Sequence, residues 1–170
     1  MRVVSLRRYP VKAMGGEVLH GVAIEPRGLA GDRVLAVVDA DGLLAAGKRT
    51  RRFRRHDEVF GYAARTVDDA VVVSRGATEW AAEDPALAAE LSAAMSEPMR
   101  VVAQRDSPHR FFDDSPVSIV GTATLAWCRD ELGVDADPRR LRVHVVIGTS
   151  RSSRSRGSAA RSRSAPCGCA

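Results

Sequence analysis

Acidic residues are missing from one part of this 170-residue chain, and that absence settles how its charge is read. Residues 150–170 contain five arginines and no Asp or Glu. The chain holds 26 basic and 21 acidic residues, so removing those five arginines leaves 21 of each over residues 1–149. The net charge of +5 therefore resides in the C-terminal segment, and the rest is formally neutral. A globally basic, nucleic-acid-binding protein is not expected. Cysteine is scarce, with Cys128, Cys167 and Cys169 alone. Three thiols, two of them close together near the end, do not make a disulfide framework and suit a reducing, cytoplasmic setting. Aromatics are few at 5%. No apolar run approaches the 18 or so residues of a membrane-spanning helix, and the opening Met1-Arg2-Val3-Val4-Ser5-Leu6 acquires charge too early for a secretory leader.

Apolar residues make up 45% of the sequence, enough for a real core in one medium domain or two small, closely packed ones. Val/Ile-rich runs punctuated by Gly and Asp predict strands near 2–6, 18–25, 34–39, 58–63, 70–74, 99–103, 117–120 and 143–147. Asp39-Ala40-Asp41-Gly42 reads as a hairpin turn, because Asp-Gly supplies positive φ, and Val67-Asp68-Asp69-Ala70 as a second. Helices are predicted over 85–96, opened by Pro85, and over Thr122–Leu132, with Leu125, Cys128 and Leu132 on one face and Gly133 as its stop. Thr122 is the expected N-cap of the second helix, whose free amides and positive dipole end suit an anion.

Three clusters carry the chemistry. Tyr9-Pro10-Val11-Lys12 closes the first apolar run; Gly28-Leu29-Ala30-Gly31-Asp32-Arg33 opens the run at 34–38; Asp114-Ser115-Pro116-Val117-Ser118 leads into Gly121-Thr122-Ala123-Thr124-Leu125. Each puts polar or cationic groups at the end of a predicted element. Lys12, Arg33, Arg49 and Arg142 would line a site fit for an anion with phosphate or oxo groups. Lys48, in the dense basic run 48–55, is read as a solvated neighbour.

These motifs, in this order, resemble the MOSC family, the molybdenum cofactor sulfurase C-terminal domains, together with the β-barrel domain that precedes them in many members. The resemblance runs from about Arg2 to about Ile147. It implies an α+β, mainly β fold: a MOSC-like β-barrel, incomplete at the C-terminus. The expected organisation is an N-terminal barrel-like region over 1–84, a shortened MOSC core over 85–149, and a disordered Ser/Arg-rich tail over 150–170 that offers no apolar face to bury. Relatives continue past this point through more strands and a cysteine-bearing segment. A reading-frame shift near Thr149 is the preferred explanation; a genuine disordered tail touching RNA or an acidic surface is the alternative. With the later strands missing, the strand at 143–147 is expected to be an unpaired edge beside exposed apolar area.

By the same resemblance Lys12, Arg33, Arg49, Thr122 and Arg142 would bind a molybdenum cofactor (molybdopterin), the lysine contacting the pterin phosphate. Ala13 replaces a common Ser, and Val143 and His144 replace Pro and Asn after Arg142. Two activities are implied: molybdenum-dependent reduction of N-hydroxylated compounds, or sulfur transfer. The first draws electrons from a separate electron-transfer protein, the second works beside a pyridoxal-phosphate-dependent cysteine desulfurase, and either acts on a small-molecule substrate. A non-catalytic cofactor or sulfur carrier is the alternative. No essential cysteine is assigned: Cys128 reads as an inert core thiol, and Cys167-Gly168-Cys169 lies in the tail. His109 has only the generic Asp113–Asp114 nearby, and His144 reads as half-buried at a strand start.

Overall fold

The computed structural model describes residues 2–150; the tail expected to be disordered lies, from Arg151 on, outside them. Thirteen short strands and three helices make up the described chain, and the first strand, β1 (Val3–Arg8), is one of the longest. It lies between β2 (Glu17–Val18) and β13 (Val145–Ile147), antiparallel to both. Outside β13 is β12 (Ile119–Gly121), parallel to it. Parallel neighbours need a crossover. Here it is α2 (Thr122–Leu132) followed by the short α3 (Pro138–Leu141).

A second four-stranded sheet runs β11–β5–β6–β7, from Arg100–Ala103, Leu35–Val38, Leu44–Ala46 and Phe53–Arg55. The Asp39–Gly42 turn joins β5 to β6, with Gly42 at φ 78°. A three-stranded meander follows: β8 (Ala63–Val67), β9 (Ala70–Arg75) and β10 (Thr78–Ala81). Asp68 and Asp69, at φ 47° and 67°, form the tight turn between its first two strands. The small pair β3 (Ile24–Glu25) and β4 (Gly28–Leu29) completes the set. Single bridges, Val11 to Leu35 and Gly15 to Ala63, stitch the sheets together.

The α+β, mainly β expectation holds, but none of these sheets closes into a barrel among the described residues. The strands are too short and too often interrupted to maintain a continuous ladder. The strand expected over 18–25 breaks into two pairs of residues around His20 and Gly21, and that over 58–63 is replaced by a 3-10 turn, Asp57–Gly61. The strand near the C-terminal end is not an edge: β13 is flanked on both sides, and the sheet's margins are β12 and β2.

β5 explains the core. Its side chains alternate, Val37 entering a cluster with Val11, Met14, Val59, Tyr62, Val73, Leu87 and Leu91, while Ala36 and Val38 enter a second with Leu44, Phe53 and Phe111. A strand buried on both faces has to be apolar throughout, as this one is. The first cluster is covered by α1 (Pro85–Met95), capped by Asp84, whose side chain accepts from the Ala86 amide. By contrast, α2 buries no residue: Trp127 and Leu132 are about half exposed, as are Leu141 on α3 and Val134 between them.

Candidate functional site

Backbone hydrogen bonds bring the first two clusters together. Arg33 donates its amide to Tyr9 O (2.8 Å), Leu35 to Pro10 O (3.1 Å) and Lys12 to Leu35 O (2.8 Å). Arg33 can turn back toward Tyr9 because its φ is 47°, two residues after Gly31 at 74°. Gly31 is needed for that conformation; a Cβ there would stand 2.7 Å from the Arg8 guanidinium, the movable end of a side chain.

Asp32 is the hub. Its side chain is almost wholly buried; Oδ1 accepts from the Tyr9 amide (2.8 Å), and Oδ2 lies 3.0 Å from Arg33 Nη1 and 3.1 Å from His144 Nε2. His144 is fully buried rather than half-buried. Its Nδ1 accepts from the Ser118 amide (3.0 Å), which puts the ring proton on Nε2, facing Asp32. The Nε2–Asp32 approach is an electrostatic contact, off the alignment of a hydrogen bond. The ring also meets Tyr9 edge-on, with centroids 5.6 Å apart.

Arg142 closes the group from the C-terminal side. It occupies a left-handed position at the end of α3, φ 53°, which turns its side chain inward. The guanidinium sits 4.3 Å above the Tyr9 ring and Nη1 donates to Met14 O. Tyr9 in turn donates its hydroxyl to Val143 O (3.2 Å). Arg33 Nη1 reaches Pro116 O at 3.5 Å, so the Asp-Ser-Pro-Val motif is adjacent too.

The third cation is Lys12, 7% exposed. Its Nζ donates to Asp113 Oδ1 at 3.0 Å and lies 5.1 Å from the Phe53 ring centre. Burial drives its pKa down to about 8; the hydrogen bond and charge of Asp113 oppose this, and the charges of Arg33 and Arg142 add to it. Arg142 is depressed to about 10, first by burial and then by Arg33. Tyr9 is raised by burial, against the pull of Arg142.

Lys12, Arg33 and Arg142 thus come together from three separate segments. Arg49 does not join them: it is exposed on the loop between β6 and β7 and makes no hydrogen bond or ion pair among the described residues. Its neighbour Lys48, read from sequence as merely solvated, is 3.1 Å from Asp113 Oδ2 and 4.6 Å from the Phe53 ring centre. Thr122 is not the cap of α2 either. Gly121 takes the N-cap position without a side-chain bond, while Thr122 Oγ1 donates to Thr149 O and Thr149 Oγ1 accepts from the Ala123 amide. The register of β12 with β13 puts this pair at the far end of β13 from Arg142.

Four contributors escaped the sequence reading: Asp113, Lys48, Phe53 and Asp32 in its role as hub. A signal existed for Asp32, the acidic residue inside a Gly-rich turn ahead of Arg33. Asp113 carried none, being one of two adjacent aspartates in a polar stretch.

Arg33 Nε and Arg142 Nη2 are buried and have no partner. Orphaned guanidinium donors of this kind are costly unless an acceptor meets them. With Lys12 they form a donor set suited to the phosphate end of an anionic ligand. A soft metal ligand is a different matter: Cys128 lies mid-way along α2, none of the cluster's contacts reaches it, and no group of three metal-binding side chains exists among the described residues.

A family model, the MOSC N-terminal beta barrel domain, matches residues 1–134. Among curated proteins no relative matches the chain. The matched span includes Lys12, Arg33 and Asp113 and ends before Arg142 and His144.

Proposed function

The chain belongs to the family of the MOSC N-terminal beta barrel domain, and on that premise we propose that it binds a phosphate-bearing pterin of the molybdenum-cofactor (molybdopterin) type. The observation that carries this reading is the pair of buried donors without a hydrogen-bond partner, Arg33 Nε and Arg142 Nη2, beside a lysine whose pKa is lowered by burial. Three cations in one poorly solvated place raise one another's energy, and an anion relieves all three. Lys12 and the two guanidinium groups would hold the phosphate. Arg142, stacked on Tyr9, presents a fixed fork to it, and Asp32 with His144 keeps Arg33 from turning away. When bound, such a cofactor supplies a redox-active metal centre.

Molybdenum-dependent reduction of N-hydroxylated small molecules, or sulfur transfer, is the activity this reading implies, with an electron-transfer protein or a cysteine desulfurase as partner. A second reading, a carrier that holds the cofactor for another protein, is favoured by the make-up of the cluster. Its cations are binding groups, and its one histidine has both ring nitrogens engaged inside the fold.

The test is retention of pterin and phosphate by the purified full chain, read by pterin fluorescence after oxidation and by phosphate analysis. Lys12→Ala and Arg142→Ala are expected to lose both, and Arg49→Ala to keep them. Equal loss in all three would indicate diffuse charge attraction and end the proposal. Retention in all three would end it as well.

A further inference from the structure

Lys12 and Lys48 reach the two oxygens of one carboxylate. Asp113 Oδ1 takes Lys12 at 3.0 Å and Oδ2 takes Lys48 at 3.1 Å. Both ammonium groups stand over the Phe53 ring, at 5.1 and 4.6 Å from its centre, and the Arg52 guanidinium is 5.0 Å from the same centre. Three cations gather around one buried aromatic face, and Asp113 is the acid paired with two of them. Its carboxyl pKa is raised by burial, but the hydrogen bonds and charges of Lys12 and Lys48 together outweigh this and leave it below the ordinary value.

The chain around Asp113 is held on both sides and exposed between. Phe111 is fully buried, its amide donating to Gln104 Oε1 (2.9 Å), and Gln104 Nε2 donates to His109 O (2.7 Å). On the other side, Pro116 O receives Arg33, and Ser118 is tied to His144. Residues 113–115 between these points are exposed, and Asp113 is fixed by the two lysines alone.

We infer that Asp113 is an internal stand-in for the ligand: its carboxylate fills a seat, built by Lys12 and Lys48 against Phe53, that takes two oxygens of a phosphate or other tetrahedral oxyanion once residues 113–115 swing out. The inference rests on the anion-binding reading of Lys12 and adds Lys48 as the second arm and Asp113 as a latch. A carboxylate and a phosphate edge offer two oxygens alike, so the same pair of donors serves either. The latch keeps two close ammonium groups compensated when no ligand is bound, and it sets a threshold of affinity that weak anions do not pass.

The experiment is calorimetric titration of the full chain with inorganic phosphate near neutral pH. Asp113→Asn, which keeps size and removes charge, is expected to bind phosphate about tenfold more tightly than the unaltered chain, and Lys48→Ala in the Asp113→Asn background to lose that gain. Asp113→Glu, which retains the charge, is expected to leave affinity at the unaltered level. In the unaltered chain, saturating phosphate is expected to raise amide exchange at residues 113–115, a readout that needs no variant. Asp113→Asn binding no better than the unaltered chain, while Lys12→Ala abolishes binding, overturns the latch and leaves the anion site standing. Tighter binding in Asp113→Asn that survives Lys48→Ala overturns the second arm. Unchanged exchange at residues 113–115 overturns the swing. Lys12→Ala binding phosphate as the unaltered chain does removes the anion site, and the latch with it.

Discussion

His144 Nε2 lies 3.1 Å from Asp32 Oδ2, a buried contact between a turn near the start of the chain and the residue just before its last described strand. Through Asp32 it holds the Tyr9 amide and Arg33 in place, and through Nδ1 it holds Ser118. The site is therefore part of the tertiary framework.

Asp32→Ala is expected to be severe. It leaves the Tyr9 amide and Arg33 without their acceptor and removes the charge facing His144 Nε2, and removing one member of a buried charged network costs about 3–5 kcal/mol. Asp32→Asn, which keeps an acceptor for the Tyr9 amide, should cost less. Urea unfolding measures both; a midpoint for Asp32→Ala within error of the parent would show that the network contributes nothing to stability.

Gly16 tests packing instead of charge. A Cβ there would sit 2.2 Å from Arg8 O and 2.5 Å from Tyr9 Cδ1. Backbone cannot step aside as a side-chain tip can, so Gly16→Ala should destabilise by roughly 1–3 kcal/mol or more. Gly21→Ala, with open space around the added methyl, is the control. Thermal melting should separate the two by several degrees.

Lys12 makes a pH prediction. Its folded pKa is about 8 against an ordinary 10.5. Between those values the unfolded chain binds more protons at this position, so the contribution of Lys12 to stability rises with pH over that interval. Lys12→Met should flatten that rise in urea midpoints taken across it. Phosphate affinity should move the other way, falling as pH climbs through about 8 and the ammonium loses its charge. Affinity that is constant to pH 10 would show that Lys12 is not the anion's partner.

Exposed apolar residues on and after α2 predict association. Trp127, Leu132, Val134 and Leu141 are each about half exposed, four large apolar side chains within 15 residues of sequence. The purified chain should bind a hydrophobic dye, and Leu132→Glu together with Leu141→Glu should reduce the signal. Failure of the unaltered chain to bind dye would mean that this surface is covered in solution.

Local signals were the legible ones. Pro85 at the start of α1, Gly133 after the last turn of α2, and the two Asp-rich hairpin turns each encode their conformation within a few residues, and each lies where the sequence puts it. β6 and β7 were invisible: three residues each, Leu-Ala-Ala and Phe-Arg-Arg, they pair in parallel across a loop and carry no alternation. The 3-10 turn at Asp57–Gly61 holds a buried Val59 and so imitates a strand residue. Of the candidate site residues, Lys12 and Arg33 stand in recognisable motifs, while Arg142 keeps only its arginine, since Val143 and His144 replace the Pro and Asn of the family's pattern. Lys48 and Arg49 are adjacent in a basic run, and only the position of Asp113 separates the one that points inward from the one that does not.

β1 lies between a strand formed a few residues later and the last of the described strands, with Val3 opposite Ile147. During synthesis β1 can meet β2 almost at once, yet its other margin stays open until the final described strand leaves the ribosome. Closure of this long loop carries a large entropic cost and comes late. Until residue 147 is made, the nascent chain holds Val3 and Val4 beside an unsatisfied ladder, the state in which a chaperone or another copy would find it. Assembly of the cationic site must wait for the same moment, because Arg142 and His144 arrive with that last strand.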